Sequence, residues 1–209
     1  MSSVLCDIKT ISDELLCQIK KYEDYYGAWQ KLKSVLNQYD AQICVAQDFF
    51  SVTFDALLNS MMFELIKLYD RHKDALSVKK LLNKCQTEKE YVFAFLNTPI
   101  KNALYKNAIT SFCSFLNDKK TINSLDNLIT RRDRYYMHKN GKRIQIDEMV
   151  NQYPFSFECA EQLILEAKKF CSILYQLATD TEWDPMVSDV AQSKHIRDFS
   201  GLETILKSI

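Results

Sequence analysis

Apolar residues recur at spacings of three and four along most of the chain, which is the signature of helices with one buried face. Leu5, Ile8, Ile11, Leu15, Leu16 and Ile19 form one such stripe, and Trp29, Leu32, Val35 and Leu36 form a second. Gly27 lies between them, so residues 4–38 predict a helical hairpin or one bent helix. Residues 41–71 predict one long central helix of roughly 45 Å at 1.5 Å per residue. Its apolar side chains, from Phe49 and Phe50 to Ile66 and Leu68, cover more than one face, as in a helix packed on several sides. Ser77 is placed to cap a short helix over 77–85 that turns Val78, Leu81, Leu82 and Cys85 inward. Thr87-Glu88-Lys89-Glu90 reads as a capping box for a further turn or two ending near Asn97.

Thr98-Pro99 starts another helix with Pro99 in its first position, and Ile100, Leu104, Ala108, Phe112 and Phe115 mark its inward side. Residues 121–138 continue helically through Ile122, Leu125, Leu128 and Ile129. Asn140-Gly141 signals a turn, and Ile144-Gln145-Ile146 an extended loop piece. Pro154 and Ser156 open a last long helix to about Ala178, through Leu163, Ile164, Phe170, Cys171, Leu174 and Leu177. The pattern thus predicts a helical bundle over residues 1–179. Residues 180–209 predict a mobile stretch with Trp183 anchoring it to the bundle, then a short docking helix headed by Ser200-Gly201-Leu202-Glu203.

Composition supports an all-α fold. The 209 residues include three Gly and three Pro, too few for the turns of an all-β architecture. The first twenty residues carry Asp7, Lys9, Asp13, Glu14 and Lys20 and show no signal-peptide pattern. Asp48, Asp55, Glu64 and Lys67 interrupt the most apolar stretch, which argues against a bilayer span and for a cytoplasmic chain. Seven dispersed cysteines without a CxxC pair fit reduced, mostly buried thiols. The three histidines, His72, His138 and His195, supply no clustered metal ligands, and no phosphate-binding glycine loop is present, so neither a metal nor a cofactor is expected. His72, in Arg71-His72-Lys73, belongs to an exposed helix end.

Charge changes the picture locally. The 27 basic and 27 acidic residues cancel, which excludes a broadly basic nucleic-acid binder. Yet residues 118–143 hold four Lys and four Arg against three Asp, a net +5 on an acidic body. Four of the chain's six arginines lie within Arg131-Arg132-Asp133-Arg134-Tyr135-Tyr136-Met137-His138-Lys139-Asn140-Gly141-Lys142-Arg143. Arginine is suited to bidentate phosphate contact, and a histidine titrating near neutrality to proton transfer. On a regular helix of about 100° per residue, Arg132 and His138 stand ~120° apart, so they would flank a cleft from neighbouring sides. Arg131 and Arg134 lie closer to His138 in angle, and either could substitute for Arg132. A solvated basic helix end at the C-terminal pole of the dipole is the alternative reading.

Arg132-Asp133, four residues and His138, near a helix end in an all-α chain, resembles the Arg-polar-x4-His signature of the HEPN superfamily. The match is closest to its AbiU-like abortive-infection branch. Leu68-Tyr69-Asp70-Arg71 and Leu76-Ser77-Val78-Lys79-Lys80-Leu81-Leu82 look like the acidic helix end and the Ser-capped Leu-Leu helix of that branch. Met137 stands where a small residue is commoner. The resemblance covers residues 10–178 and implies a HEPN-like bundle with one long central helix and short accessory helices.

It also implies a metal-independent endoribonuclease that cleaves RNA by 2′-OH attack at a site shared by a homodimer. The alternative is a non-catalytic relative binding RNA, a nucleotide or a protein. In the catalytic reading His138 is the general acid or base and Arg132 stabilises the phosphate. Asp133 orients Arg132 or His138, and Tyr135 or Tyr136 stacks on a base or bonds the phosphate, the alternative for both being a place in the core. Lys139, Lys142 and Arg143 steer the RNA backbone. An antitoxin or regulatory protein is a further implied partner. Where related toxins carry an adenylylated Tyr two residues after the His, this chain has Asn140, which argues against that regulation.

Overall fold

The computed structural model describes residues 3–36, 47–136 and 145–184. In chain order the helices are α1 (Ser3–Leu36), α2 (Gln47–Leu68), α3 (Val78–Thr87), α4 (Lys89–Leu96), α5 (Pro99–Asn117), α6 (Lys119–Arg131), a π turn (Arg132–Tyr136), α7 (Ile146–Gln152) and α8 (Phe157–Thr179). No strand occurs among the described residues. The fold is all-α, as the spacing of apolar residues predicts.

Residues 3–36 form one uninterrupted helix rather than a hairpin, and Gly27 sits exposed inside it. The reason is packing. Leu5, Ile8, Leu15, Leu16 and Ile19 before the glycine, and Ala28, Trp29 and Leu32 after it, are all buried on the same bundle. Tertiary burial of that face outweighs the roughly 1 kcal/mol a helical glycine costs. Helix α1 packs along α2 and α8 and also meets α3 and α4, while α8 packs on α5. Phe112 of α5 stacks on Phe170 of α8 with centroids 4.3 Å apart and planes 5° from parallel.

Helix α2 divides at its middle. Met61, Met62, Leu65, Ile66 and Leu68 are buried, whereas Phe49 and Val52 are about two-thirds exposed. Packing on several sides therefore holds for the second half only. By length and composition α2 is long and apolar enough to cross a membrane, with 33% of the apolar window buried. Its four charges thus do not exclude a span, because Asp48 and Lys67 lie at the ends of the helix; bundle core helices meet the same criterion. Expected helix residues 41–46 fall outside the described residues.

The helix starts follow capping chemistry. Ser77 accepts from the Lys80 N–H at 3.4 Å, Thr98 from the Lys101 N–H at 3.3 Å with Pro99 next, and Ser156 from the Cys159 N–H at 3.3 Å. The Thr87 capping box does not form. Thr87 is the last residue of α3, and its hydroxyl donates to the Asn83 carbonyl four residues back at 2.9 Å. Glu88 occupies the junction with no side-chain cap. A hydroxyl inside a helix can bond to the preceding turn, and here that competes successfully with capping.

Two further expectations are corrected. Ile100 and Leu104 face outward, 75% and 49% exposed, and the inward side of α5 is Tyr105, Ala108 and Phe112. Gln145 is extended as expected (φ −70°, ψ 152°), but Ile146 already opens the helix α7, in which Met149 is buried, and Ile144 lies outside the described residues. At the other end α8 stops at Asp180 in the left-handed conformation (φ 61°). Trp183 then donates its indole N–H to Asp13 Oδ1 at 2.7 Å and packs against the core, as anticipated for that residue. The expected docking helix near the C-terminus lies outside the described residues.

Candidate functional site

Helix α6 delivers the arginine motif. Asp118 caps it, accepting from the Lys120 and Thr121 N–H groups at 2.9 and 3.2 Å. Leu125 and Leu128 bury one face, which fixes the rotation of the helix, while Ile122 is 39% exposed instead of inward. At Arg132 the backbone leaves the α register, and residues 132–136 form a π turn. The ~120° separation of Arg132 and His138 presumes an α-helix, so it does not carry across this turn. Such π insertions are uncommon and concentrate at functional sites.

The three adjacent arginines part company. Arg131 is buried and donates Nε–H to the Tyr153 carbonyl at 2.6 Å, with its guanidinium 5.9 Å from the Phe155 ring centroid. It holds the segment between α7 and α8 against the end of α6. Arg134 is exposed, its guanidinium 5.3 Å from the Tyr153 ring centroid. Arg132 lies between these extremes, with 16% of its side chain accessible. Its Nε–H donates to Asp133 Oδ1 at 2.8 Å, and Nη1 lies 3.6 Å from Asp70 Oδ1. The bond to Asp133 raises the Arg132 pKa further, partial burial opposes it, and the charges of Asp133 and Asp70 add to the rise.

Asp70 reaches this place because α2 is fixed just before it. The buried Tyr69 hydroxyl donates to the Leu163 carbonyl of α8 at 2.7 Å. Asp70 Oδ1 also accepts the His72 N–H at 3.0 Å, which shapes the turn after α2. Beside it Arg71 Nη2 pairs with Asp126 Oδ1 of α6 at 2.7 Å, though both side chains are half exposed and the pair is worth at most ~1 kcal/mol. His72 is exposed, its Nδ1 3.8 Å from Asp74 Oδ2, in keeping with its expected place.

The structure thus joins Arg132, Asp133 and Asp70, and assigns Arg131 to a buried structural contact. The side chains of Tyr135 and Tyr136, and residues Met137, His138, Lys139, Lys142 and Arg143, lie outside the described residues. Asp70 was missed as a site residue. Its signal was present in Leu68-Tyr69-Asp70-Arg71, an acid following buried apolar residues at a helix end.

Arg132 donates only Nε–H in hydrogen bonds within the described residues, so its Nη groups retain donors for a phosphate. Among the described residues no three His, Cys, Asp or Glu side chains are grouped to hold a metal ion. Cys17, Cys85 and Cys171 are buried, Cys113 and Cys159 partly so, and Cys6 is exposed.

A family model described as AbiU2, of the HEPN type, matches residues 10–199. No curated protein and no solved structure matches the chain.

Proposed function

The chain belongs to the HEPN AbiU2 family, and on that premise we propose that it is a metal-independent endoribonuclease of abortive-infection or toxin–antitoxin type. The observation that carries the reading is Arg132, placed at a π turn with its Nε held by Asp133 and its Nη1 paired with Asp70. Two carboxylates fix its orientation, and the remaining donors are directed by that fixation rather than by the substrate. Preorganised donors of this kind stabilise charge that develops in a transition state.

The reaction follows from the residue types. His138 as base takes the proton of an RNA 2′-OH. The 2′-oxygen attacks the adjacent phosphorus, and the P–O5′ bond breaks. The departing 5′-oxygen receives a proton from an acid, the second histidine in a site made by two copies of the chain. Arg132 neutralises charge on the non-bridging oxygens. The products are a 2′,3′-cyclic phosphate and a 5′-hydroxyl. Lys139, Lys142 and Arg143 would hold the RNA backbone, in a manner that weakens with salt.

The second reading is a non-catalytic module that binds RNA, a nucleotide or a protein, and it is favoured by the fact that Arg132 already faces two carboxylates. Cleavage of RNA in EDTA by the wild type, His138→Ala and Arg132→Ala separates the two. The nuclease reading expects loss in both variants. Equal activity in all three, or none in the wild type, overturns it.

A further inference from the structure

The last half of α1 and the start of α8 line an open cleft of about 450 Å³. Tyr26, Trp29, Gln30, Lys33, Ser34 and Phe157 line it. Trp29 is 7% exposed and lies at ring-centroid distances of 4.8 Å from Phe157 and 5.0 Å from Phe54. Its indole Nε1–H is buried and has no hydrogen-bond partner among the described residues. A buried donor left unmatched is unfavourable, and an acceptor entering beside the ring would relieve it.

Two observations say what kind of ligand fits. The first is charge. Lys33 Nζ sits 5.2 Å from the Trp29 ring centroid, but Tyr26 donates its hydroxyl to Glu161 Oε1 at 2.5 Å, and Glu158 also acts on Tyr26. The charged side chain among the lining residues is that of Lys33, and the Glu161 carboxylate is engaged by the Tyr26 hydroxyl. A flat ring with hydrogen-bonding edges fits such aromatic walls and can offer an acceptor to the unmatched N–H. The second is continuity with the arginine motif. Tyr153, under Arg134, and Phe155, under Arg131, lead through the same short connection to Phe157 at the cleft. Aromatic rings interleaved with cations are the means by which proteins hold the bases of an unpaired strand.

We propose that this cleft is a base-binding subsite for single-stranded RNA, taking one unstacked nucleobase against Phe157 and Trp29 while the strand passes over Tyr153 towards Arg132. The proposal rests on the ribonuclease reading for its substrate class.

Trp29 and Trp183 are the two tryptophans of the chain, so a Trp183→Phe variant isolates the emission of Trp29. In that full-length background with His138→Ala, a short single-stranded RNA should quench Trp29, and the same strand annealed to its complement should not. Phe157→Ala should weaken single-strand binding about five- to a hundredfold, the range for losing one base–aromatic stack. Phe157→Leu, which keeps an apolar side chain over Trp29, should give the same loss if the alanine variant folds poorly. No quenching, equal quenching by duplex, or unchanged affinity in the folded Phe157 variants overturns the subsite. The two readings fail separately. Arg132-dependent cleavage with unaltered binding in the Phe157 variants removes the subsite alone. Quenching that depends on Phe157, with no cleavage by the wild type, removes the nuclease and leaves the subsite.

Discussion

Arg132 and Asp70, 62 positions apart in sequence, meet with Nη1 3.6 Å from Oδ1, so the end of α2 and the π turn after α6 form one unit. The distance is that of an ion pair, longer than a hydrogen bond. Both partners are partly open to solvent, at 16% and 31% of their side chains, so the pair adds at most ~1 kcal/mol to stability. Its consequence is orientation. Asp133 fixes the Nε side of the guanidinium, and Asp70 limits its swing at Nη1.

Asp70→Asn keeps an acceptor for the His72 N–H and removes the charge facing Arg132. The melting temperature should fall by no more than about 4 °C, since ~1 kcal/mol corresponds to ~2–4 °C at this chain length. RNA cleavage should fall roughly tenfold or more, mainly in kcat, because a catalytic group displaced by a fraction of an ångström loses rate steeply. Steady-state kinetics with a thermal melt on the same sample check this. Full activity with a lowered melting temperature would assign Asp70 to structure alone.

Adjacent arginines should give opposite results. Arg131→Ala strips the partly buried Tyr153 carbonyl of its donor and uncovers Phe155, which should cost about 2–3 kcal/mol and some 5–10 °C in melting temperature. Arg132→Ala should change the melting temperature by less than about 3 °C while abolishing cleavage. Arg131→Lys should not restore stability, because a lysine cannot reproduce the planar Nε donor. Thermal denaturation of the three proteins decides it; a large loss of stability in Arg132→Ala with little in Arg131→Ala contradicts the assignment.

These neighbours show how far the sequence could be read. Periodicity located most helices because it reports burial on one face, as for Leu163, Ile164, Phe170 and Leu174 of α8. It left open whether the chain turns at Gly27 or continues through it, since the burial on both sides of the glycine that decides this comes from helices remote in sequence. Nor did it distinguish Arg131 from Arg132. Spacing gives angles only for a regular helix, and the π turn removes that regularity where the motif begins. The choice depends on the Tyr153 carbonyl and the Asp70 carboxylate, which only the fold brings near. The Thr87 capping box failed for a local reason, because the same hydroxyl had an acceptor within its own helix.

Gly27 offers a direct stability test. It is exposed within α1, and a Cβ built there meets nothing within 4 Å. Gly27→Ala should therefore remove helix-opposing backbone entropy without a clash, raising stability by about 0.5–1 kcal/mol. The melting temperature should rise by roughly 1–4 °C, with RNA binding and cleavage unchanged. A lower melting temperature would show that α1 needs the glycine to bend.

Cys159 should be the most reactive of the described thiols. Burial raises its pKa, but the hydrogen bonds of Ser156 and Ser124 and the charge of Lys120 outweigh it, and the net shift is downward. Burial pushes Cys85 up to about 12, and Cys171 is raised by the same cause. A lowered pKa means a larger thiolate fraction at neutral pH, and the thiolate is the nucleophile. In the native protein at pH 7, iodoacetamide should modify Cys159 severalfold faster than the exposed Cys6, although Cys159 is the more covered of the two. Cys17, Cys85 and Cys171 should react only on unfolding. Ser156→Ala should slow the Cys159 reaction at pH 7 and leave Cys6 unchanged. Site-resolved labelling rates by mass spectrometry give the answer, and a Cys159 rate no higher than that of Cys6 at pH 7 would contradict the downward shift.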